Sequence, residues 1–210
     1  MNRLIEEQDK RLAYIIDEAW EIVFERIASK MLTVENEASL QHHFAMILFQ
    51  LGTIYCIVPS ERFEIELEHG CTNEELGENK DGKRKNIDIV CKLGNVKAAI
   101  ELKFFKDDVY ALNCYDALVD VQRLQKFKGF EIGKFFCLAD SDYYTKEKTN
   151  SKGYIKIVSL ENTMEYKAGT TIPPSGDKSR SAPIKFKHDF VCNWVSKEGT
   201  DWHYLKIDIP

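Results

Sequence analysis

Two apolar runs separated by only two residues constrain this chain more than any other feature. Asn86 to Leu93 (NIDIVCKL) and Val96 to Phe105 (VKAAIELKFF) flank the dipeptide Gly94-Asn95. A two-residue Gly-Asn link between such runs predicts a tight hairpin, because the turn needs positive φ and glycine supplies it without steric cost. The register follows from the loop. With Leu93 facing Val96, counting outwards places Asp88 opposite Glu101. Facing side chains of paired strands share a face, with Cβ atoms about 5 Å apart. Alternation then sorts the hairpin into two faces. One holds Ile87, Ile89, Cys91, Leu93, Val96, Ala98, Ile100, Leu102 and Phe104, apolar throughout, and predicts packing on a core. The other holds Asn86, Asp88, Val90, Lys92, Lys97, Ala99, Glu101 and Lys103, so two carboxylates and an ammonium project from mid-sheet.

The flanking pattern predicts an α+β fold. Leu12, Ile15, Ile16, Ala19, Val23, Ile27 and Met31 recur at helical spacing with acids between them, predicting an amphipathic N-terminal helix over 3–31. Thr33 is placed to cap a second helix from Val34 to Leu51, ended by Gly52. Arg62 to Glu68 (RFEIELE) alternates as a strand, and a long connection with the basic cluster KDGKRK leads from it to the hairpin. Val109 to Lys128 then reads as a helix and Lys134 to Ala139 as a strand, giving the order αα-βββ-α-β. Beyond this core (about 33–140) the sequence predicts a β-rich extension over 150–210: a strand at Tyr154 to Leu160, a loop at Thr170 to Ala182, and strands at Ile184 to Val195 and Trp202 to Ile209. A chain of 210 residues fits a single domain of this kind.

The carboxylates carry the chemistry. Two acids this close repel unless a cation lies between them or one holds a proton. Mg²⁺ takes oxygen ligands and commonly uses one or two carboxylates plus phosphate oxygens. A lysine alongside would donate to a phosphate or an attacking water. Lewis acid, activated water and a positive charge together suit phosphodiester hydrolysis.

Asp88, twelve residues, then Glu101-Leu102-Lys103 resembles the PD-(D/E)xK motif of many restriction endonucleases, resolvases and repair nucleases. The resemblance spans about Thr33 to Ala139 and implies a restriction-endonuclease-like core, α-βββ-α-β, with a mixed sheet flanked by helices and a bent hairpin presenting the site. It implies that Asp88 and Glu101 bind Mg²⁺, with Mn²⁺ as a substitute, and that Lys103 is the catalytic lysine. It also implies an auxiliary acid from the preceding helix, the place of Glu37, with Gln41 one turn on. Asp120 to Leu124 (DVQRL) is similar to a Dx(Q/K)RL-like pattern in small nucleases of this group; Ile87 departs from the proline in the family's name. The implied activity is metal-dependent endonucleolytic cleavage of DNA, of restriction or defence type, since no helicase or ATPase motif accompanies it. Cutting both strands calls for a homodimer, with the acidic N-terminal helix as the candidate interface. The alternative is a catalytically inactive nuclease-fold module that binds nucleic acid or a protein partner.

The tripeptide itself is not specific, for [DE]xK occurs four times, at Glu78, Asp81, Glu101 and Glu165. Only Glu101 lies in an apolar strand with an acid opposite. The competing reading of Asp88, Glu101 and Lys103 is a salt-bridge ladder on a solvated sheet face. Glu37 serves equally as a first-turn acid complementing the helix dipole. Gln41 reads as a helix-surface residue, and Asp120 with Arg123 as an i, i+3 ion pair. His42 and His43 are adjacent, so they diverge on a helix and cannot chelate one ion together.

Charge decides which partners are plausible. The whole chain has 29 basic and 34 acidic side chains. Residues 1–79 hold 6 basic and 16 acidic ones, leaving 23 and 18 for 80–210. The net of −5 is therefore the average of an acidic N-terminal third and a basic remainder that carries the hairpin. Lys83, Arg84 and Lys85 are candidate phosphate contacts for DNA, as are Lys146, Lys148, Lys152, Lys178, Arg180, Lys185 and Lys187. Tyr143, Tyr144, Trp194, Trp202 and Tyr204 serve as base-stacking or core aromatics. Six cysteines without CxxC spacing point to reduced thiols in the cytoplasm. The longest apolar run, Phe44 to Phe49, is far short of the ~20 residues a membrane helix needs, and no signal peptide is visible.

Overall fold

The computed structural model describes residues 6–76, 85–106, 109–146, 154–174 and 182–210. Their elements run α1 (Gln8–Ala28), α2 (Glu37–Ile54), β1 (Phe63–Gly70), β2 (Asn86–Leu93), β3 (Val96–Phe105), α3 (Tyr110–Leu124), β4 (Ile132–Ala139) and α4 (Tyr154–Ile157). Six further strands follow: β5 (Glu165–Tyr166), β6 (Thr171–Ile172), β7 (Ile184–Lys185), β8 (Phe190–Val191), β9 (Trp194–Ser196) and β10 (His203–Ile209). This is an α+β chain with a six-stranded mixed sheet ordered β1-β2-β3-β4-β10-β9. The element order through β4 is the one the sequence predicts.

The chain divides into two compact units, Met1–Leu102 with Phe127–Gly133, and Lys103–Lys126 with Lys134–Pro210. In the first, α1 buries Leu12, Ile15, Ile16, Ala19, Trp20, Val23 and Ile27. α2 buries Leu40, Phe44, Ile47 and Leu48, and the Trp20 and Phe44 rings meet edge to face at 5.5 Å. The β2–β3 hairpin has the predicted register: Leu93 pairs with Val96, Lys92 with Lys97, Cys91 with Ala98, Val90 with Ala99 and Ile89 with Ile100. Gly94 has φ 61, the turn conformation that makes glycine the fitting residue there.

Several sequence expectations give way. The second helix begins at Glu37, not Val34, and its cap is Asn36, not Thr33. The Asn36 side chain accepts from the Ser39 N–H at 2.9 Å, and Ser39 Oγ accepts from the Asn36 N–H at 3.1 Å. This reciprocal pair satisfies two helix-end donors that a threonine at 33 would leave open. Gly52 does not end the helix; it sits inside it, where a Cβ would collide with the Phe63 ring. α1 is shorter than 3–31, and residues 3–5 lie outside the described residues.

In the second unit α3 stops at Leu124. The side chain of Gln125 is there committed to other backbone, accepting from the Lys187 N–H at 2.7 Å and donating to the His188 carbonyl at 3.2 Å. Tyr154 to Leu160 is not a strand: Tyr154–Ile157 is one helical turn, and Val158 and Leu160 are buried beyond it. Ile184 to Val195 is not one strand either, but the separate short strands β7, β8 and the start of β9. Alternation also lapses at the end of β3, where Phe105 is buried against Tyr144 (4.3 Å) and Phe104 stacks on Trp202 instead. Tyr144, Trp194 and Tyr204 are core aromatics, while Tyr143 is exposed. All six cysteines are free, four of them buried. No described helix is long and apolar enough to cross a membrane.

Candidate active site

In a two-residue hairpin the residues flanking the loop form a hydrogen-bonded pair, and bonded and non-bonded pairs then alternate. Odd-numbered residues of β2 therefore exchange backbone bonds with β3, and even-numbered ones with β1. On that count Leu102 N–H should meet the Ile87 carbonyl, and Glu68 N–H the Asp88 carbonyl. Two side-chain bonds meet at Asp88 as well. Leu102 N–H donates to the Asp88 carboxylate, Oδ2 at 2.7 Å. The Asp88 carbonyl accepts from Gln41 Nε2 of α2, also at 2.7 Å. The β1–β2 register runs from Phe63 opposite Leu93 to Leu67 opposite Ile89 and resumes at His69 opposite Ile87. Between them Glu68 takes φ 53. A non-glycine residue in that region costs about 1–2 kcal/mol, and such strain clusters at functional positions.

Gln41 Nε2 also reaches Glu68 Oε1 at 3.0 Å. One amide thus bridges a strained acid on β1 and the backbone of the motif acid on β2. Sequence reasoning takes Gln41 for a surface residue; the structure places it against Asp88. Glu68 is missed by the sequence because in an alternating strand it looks like any solvent-facing acid. The only available signal was the i, i+4 spacing of Glu37 and Gln41, which puts both on one stripe of α2. Glu37 is half-buried in the first turn of that helix.

Glu101, the second motif acid, is 2% exposed, with its face-mates Val90 and Ala99 also buried. A solvated salt-bridge ladder does not look like this, because its carboxylates would stand in water. Burying a carboxylate is costly without donors or a cation, so this face is built around its acids. Its donors are hard oxygen atoms, which suit Mg²⁺ or Mn²⁺ rather than an ion that favours thiolate or imidazole. Among the described residues no group of three or more His, Cys, Asp and Glu is placed to hold a metal ion. Mg²⁺ commonly takes only one or two carboxylates, keeping several waters and using substrate oxygens for its remaining positions.

Beside this cluster, His69 Nδ1 lies 2.9 Å from Glu66 and Nε2 3.2 Å from Glu75. Burial pushes the imidazole pKa down, but the two carboxylates outweigh it and the pKa is raised.

Lys103 belongs to the second unit. Its ammonium is 2.8 Å from Asp120 Oδ2, and Arg123 sits 2.8 Å from Oδ1. The expected Asp120–Arg123 helix pair is therefore present, with Asp120 also anchoring the motif lysine. Of the basic candidates, Lys83, Arg84, Lys148, Lys152, Lys178 and Arg180 lie outside the described residues, and Lys85 is half-buried. His42 and His43 sit side by side on α2, and His43 Nε2 lies 3.2 Å from the Thr33 carbonyl.

Comparison of the chain with protein-family models, curated proteins and solved structures finds no match.

Proposed function

We propose that the protein is a Mg²⁺-dependent endonuclease that hydrolyses DNA phosphodiester bonds in a restriction or defence role, the biological role resting on analogy to its motif. The observation that carries the reading is the Asp88 carboxylate, turned between strands onto the Leu102 N–H beside the buried Glu101. A surface acid has no reason to be held this way, whereas a ligand does. A bound Mg²⁺ would polarise the scissile phosphate and lower the pKa of a water.

The chain's own groups do the rest. Asp88 and Glu101 offer the oxygen donors, with Asp88 oriented by the Leu102 amide. Lys103, two residues past Glu101 on β3, presents positive charge to phosphate oxygens as charge builds in the transition state, and Asp120 fixes its position. Glu37 acts as the auxiliary acid, which would complete or hydrogen-bond the metal's shell, while Lys103 also orients the water. Lys83, Arg84 and Lys85 contact the DNA backbone, and the basic balance of 80–210 favours its approach. One site cuts one strand, so cleavage of a duplex calls for a homodimer joined through the acidic N-terminal helix.

Digestion of plasmid and single-stranded DNA with Mg²⁺ or Mn²⁺ tests this. Cleavage is expected to stop with chelator and in Asp88→Ala and Lys103→Ala; cleavage that survives those substitutions defeats the assignment. One observation favours a second reading, a nuclease-fold module that binds nucleic acid or protein without cutting: the described residues hold no three-ligand cluster. That reading predicts DNA binding unaffected by chelator and by Glu101→Ala.

A further inference from the structure

We propose that Gln41 is the positioning residue of this site, holding the strand backbone from which Asp88 is aimed. The inference rests on the metal-dependent reading above and adds a residue that the motif does not contain. Gln41 Nε2 of α2 donates to the Asp88 carbonyl at 2.7 Å, and Glu68 on β1 takes φ 53. The same nitrogen reaches the Glu68 carboxylate at 3.0 Å, so one amide ties α2 to both strands. Both partners are acceptors, so only the NH₂ end of the amide can face them, and its two hydrogens are matched one to each.

The consequence appears on the other edge of β2. With the Asp88 backbone held by α2, its side chain reaches across to Leu102 N–H at 2.7 Å, the donor that a continuing ladder would give to Ile87. Gln41 therefore acts on the carboxylate through the backbone of the residue that carries it. It touches no substrate in this account. Glu68 is the counterweight, accepting one of the two amide hydrogens, and an uncharged acceptor serves there as well.

The test uses the full chain, with Mn²⁺ as the probe and two readouts, water-proton relaxation for metal binding and plasmid nicking for activity. Gln41→Ala is expected to weaken Mn²⁺ binding about 10- to 100-fold, the usual effect of losing a group that orients a metal ligand. At saturating Mn²⁺ it should recover most of its nicking rate, with the KM for DNA unchanged. Gln41→Glu, which sets a third acceptor against two others, is expected to bind at least as weakly as Gln41→Ala. Glu68→Gln, which keeps an acceptor, should bind within about threefold of wild type. Melting curves separate positioning from folding: should Gln41→Ala melt far below wild type, Gln41→Glu and Glu68→Gln decide the question in its place. Wild-type Mn²⁺ affinity in both Gln41 variants overturns the inference, as does a loss in Glu68→Gln equal to theirs. The two proposals fail separately. A wild-type chain that binds Mn²⁺ and loses it on Gln41→Ala, yet never cuts DNA, supports the positioning role and sinks the nuclease reading. One that cuts, with Gln41 variants unchanged in metal dependence, does the reverse.

Discussion

Asp88 has two duties in this account, and a pair of substitutions separates them. Its Oδ2 accepts the N–H of Leu102, a fully buried residue, at 2.7 Å. A hydrogen bond to a charged group is worth about 1.5–3 kcal/mol, and a buried donor left without its acceptor costs a similar amount. Asp88→Ala removes the acceptor and should lower stability by about 2 kcal/mol. Asp88→Asn keeps an oxygen for the same donor. It also replaces a half-buried charge with a neutral amide, and the desolvation saved offsets the weaker bond. Its stability should lie within about 0.5 kcal/mol of wild type. At ~2–4 °C per kcal/mol for a chain of this length, the alanine variant should melt about 4–8 °C lower and the asparagine variant within ~2 °C of wild type. Mg²⁺ then reports the second duty. At tenfold excess over its dissociation constant, a bound ion stabilises by about 1.4 kcal/mol. That shift, roughly 3–6 °C, should appear in wild type and in neither variant. Thermal melts with Mg²⁺ and with chelator make the comparison. Equal destabilisation by the two substitutions refutes the Leu102 bond as Asp88's structural duty, and a retained Mg²⁺ shift in Asp88→Asn refutes its role as a ligand.

Three other predictions concern the scaffold around the site. Glu61 and Arg11 form a buried ion pair, with Arg11 1% exposed and Glu61 also taking Gln8 Nε2 at 3.0 Å and the Ile57 N–H at 2.9 Å; Glu61→Gln strands the guanidinium and should cost about 3 kcal/mol in urea melts. Burial pushes the Glu61 pKa up, but the Ile57 N–H, Gln8 and Arg11 outweigh it, and the net shift is downward from 4.5. The Glu61 contribution is therefore complete above pH ~4.5 and lost as pH falls through the lowered pKa, so the gap between wild type and Glu61→Gln should narrow only below that pH. Gly52→Ala would gain about 1 kcal/mol of helix propensity, yet its Cβ meets the Phe63 ring, and overpacking at about 1–3 kcal/mol should leave the variant less stable; a higher melting point contradicts the contact. His69, raised by Glu66 and Glu75, should titrate by NMR above its ordinary 6.5, its stabilising effect present below that pH and fading as pH rises through the raised pKa; Glu75→Gln should bring the midpoint down.

The hairpin was legible because its determinants are local. Gly94-Asn95 sets the turn, the turn sets the register, and alternation sets the faces, so β2 and β3 fall where the pattern puts them. Helix ends were less so, because Asn36 competes with Thr33 for the cap and Gly52 answers to Phe63, a residue on another element. Tyr154 to Leu160 alternates like a strand yet forms one helical turn, since tertiary packing overrides so short a pattern. At the site, the motif acids and lysine could be named from spacing. Gln41, Glu68 and the Asp120 anchor of Lys103 could not, because each depends on a contact between residues distant in sequence.

The central claim is that Asp88 serves metal-dependent cleavage, and its most direct test is the plasmid nicking rate of Asp88→Asn against wild type at saturating Mg²⁺. Wild type should nick and Asp88→Asn, folded and melting near wild type, should be slower by at least ~100-fold. Equal rates, or a wild-type chain that leaves DNA intact with both Mg²⁺ and Mn²⁺, would contradict it.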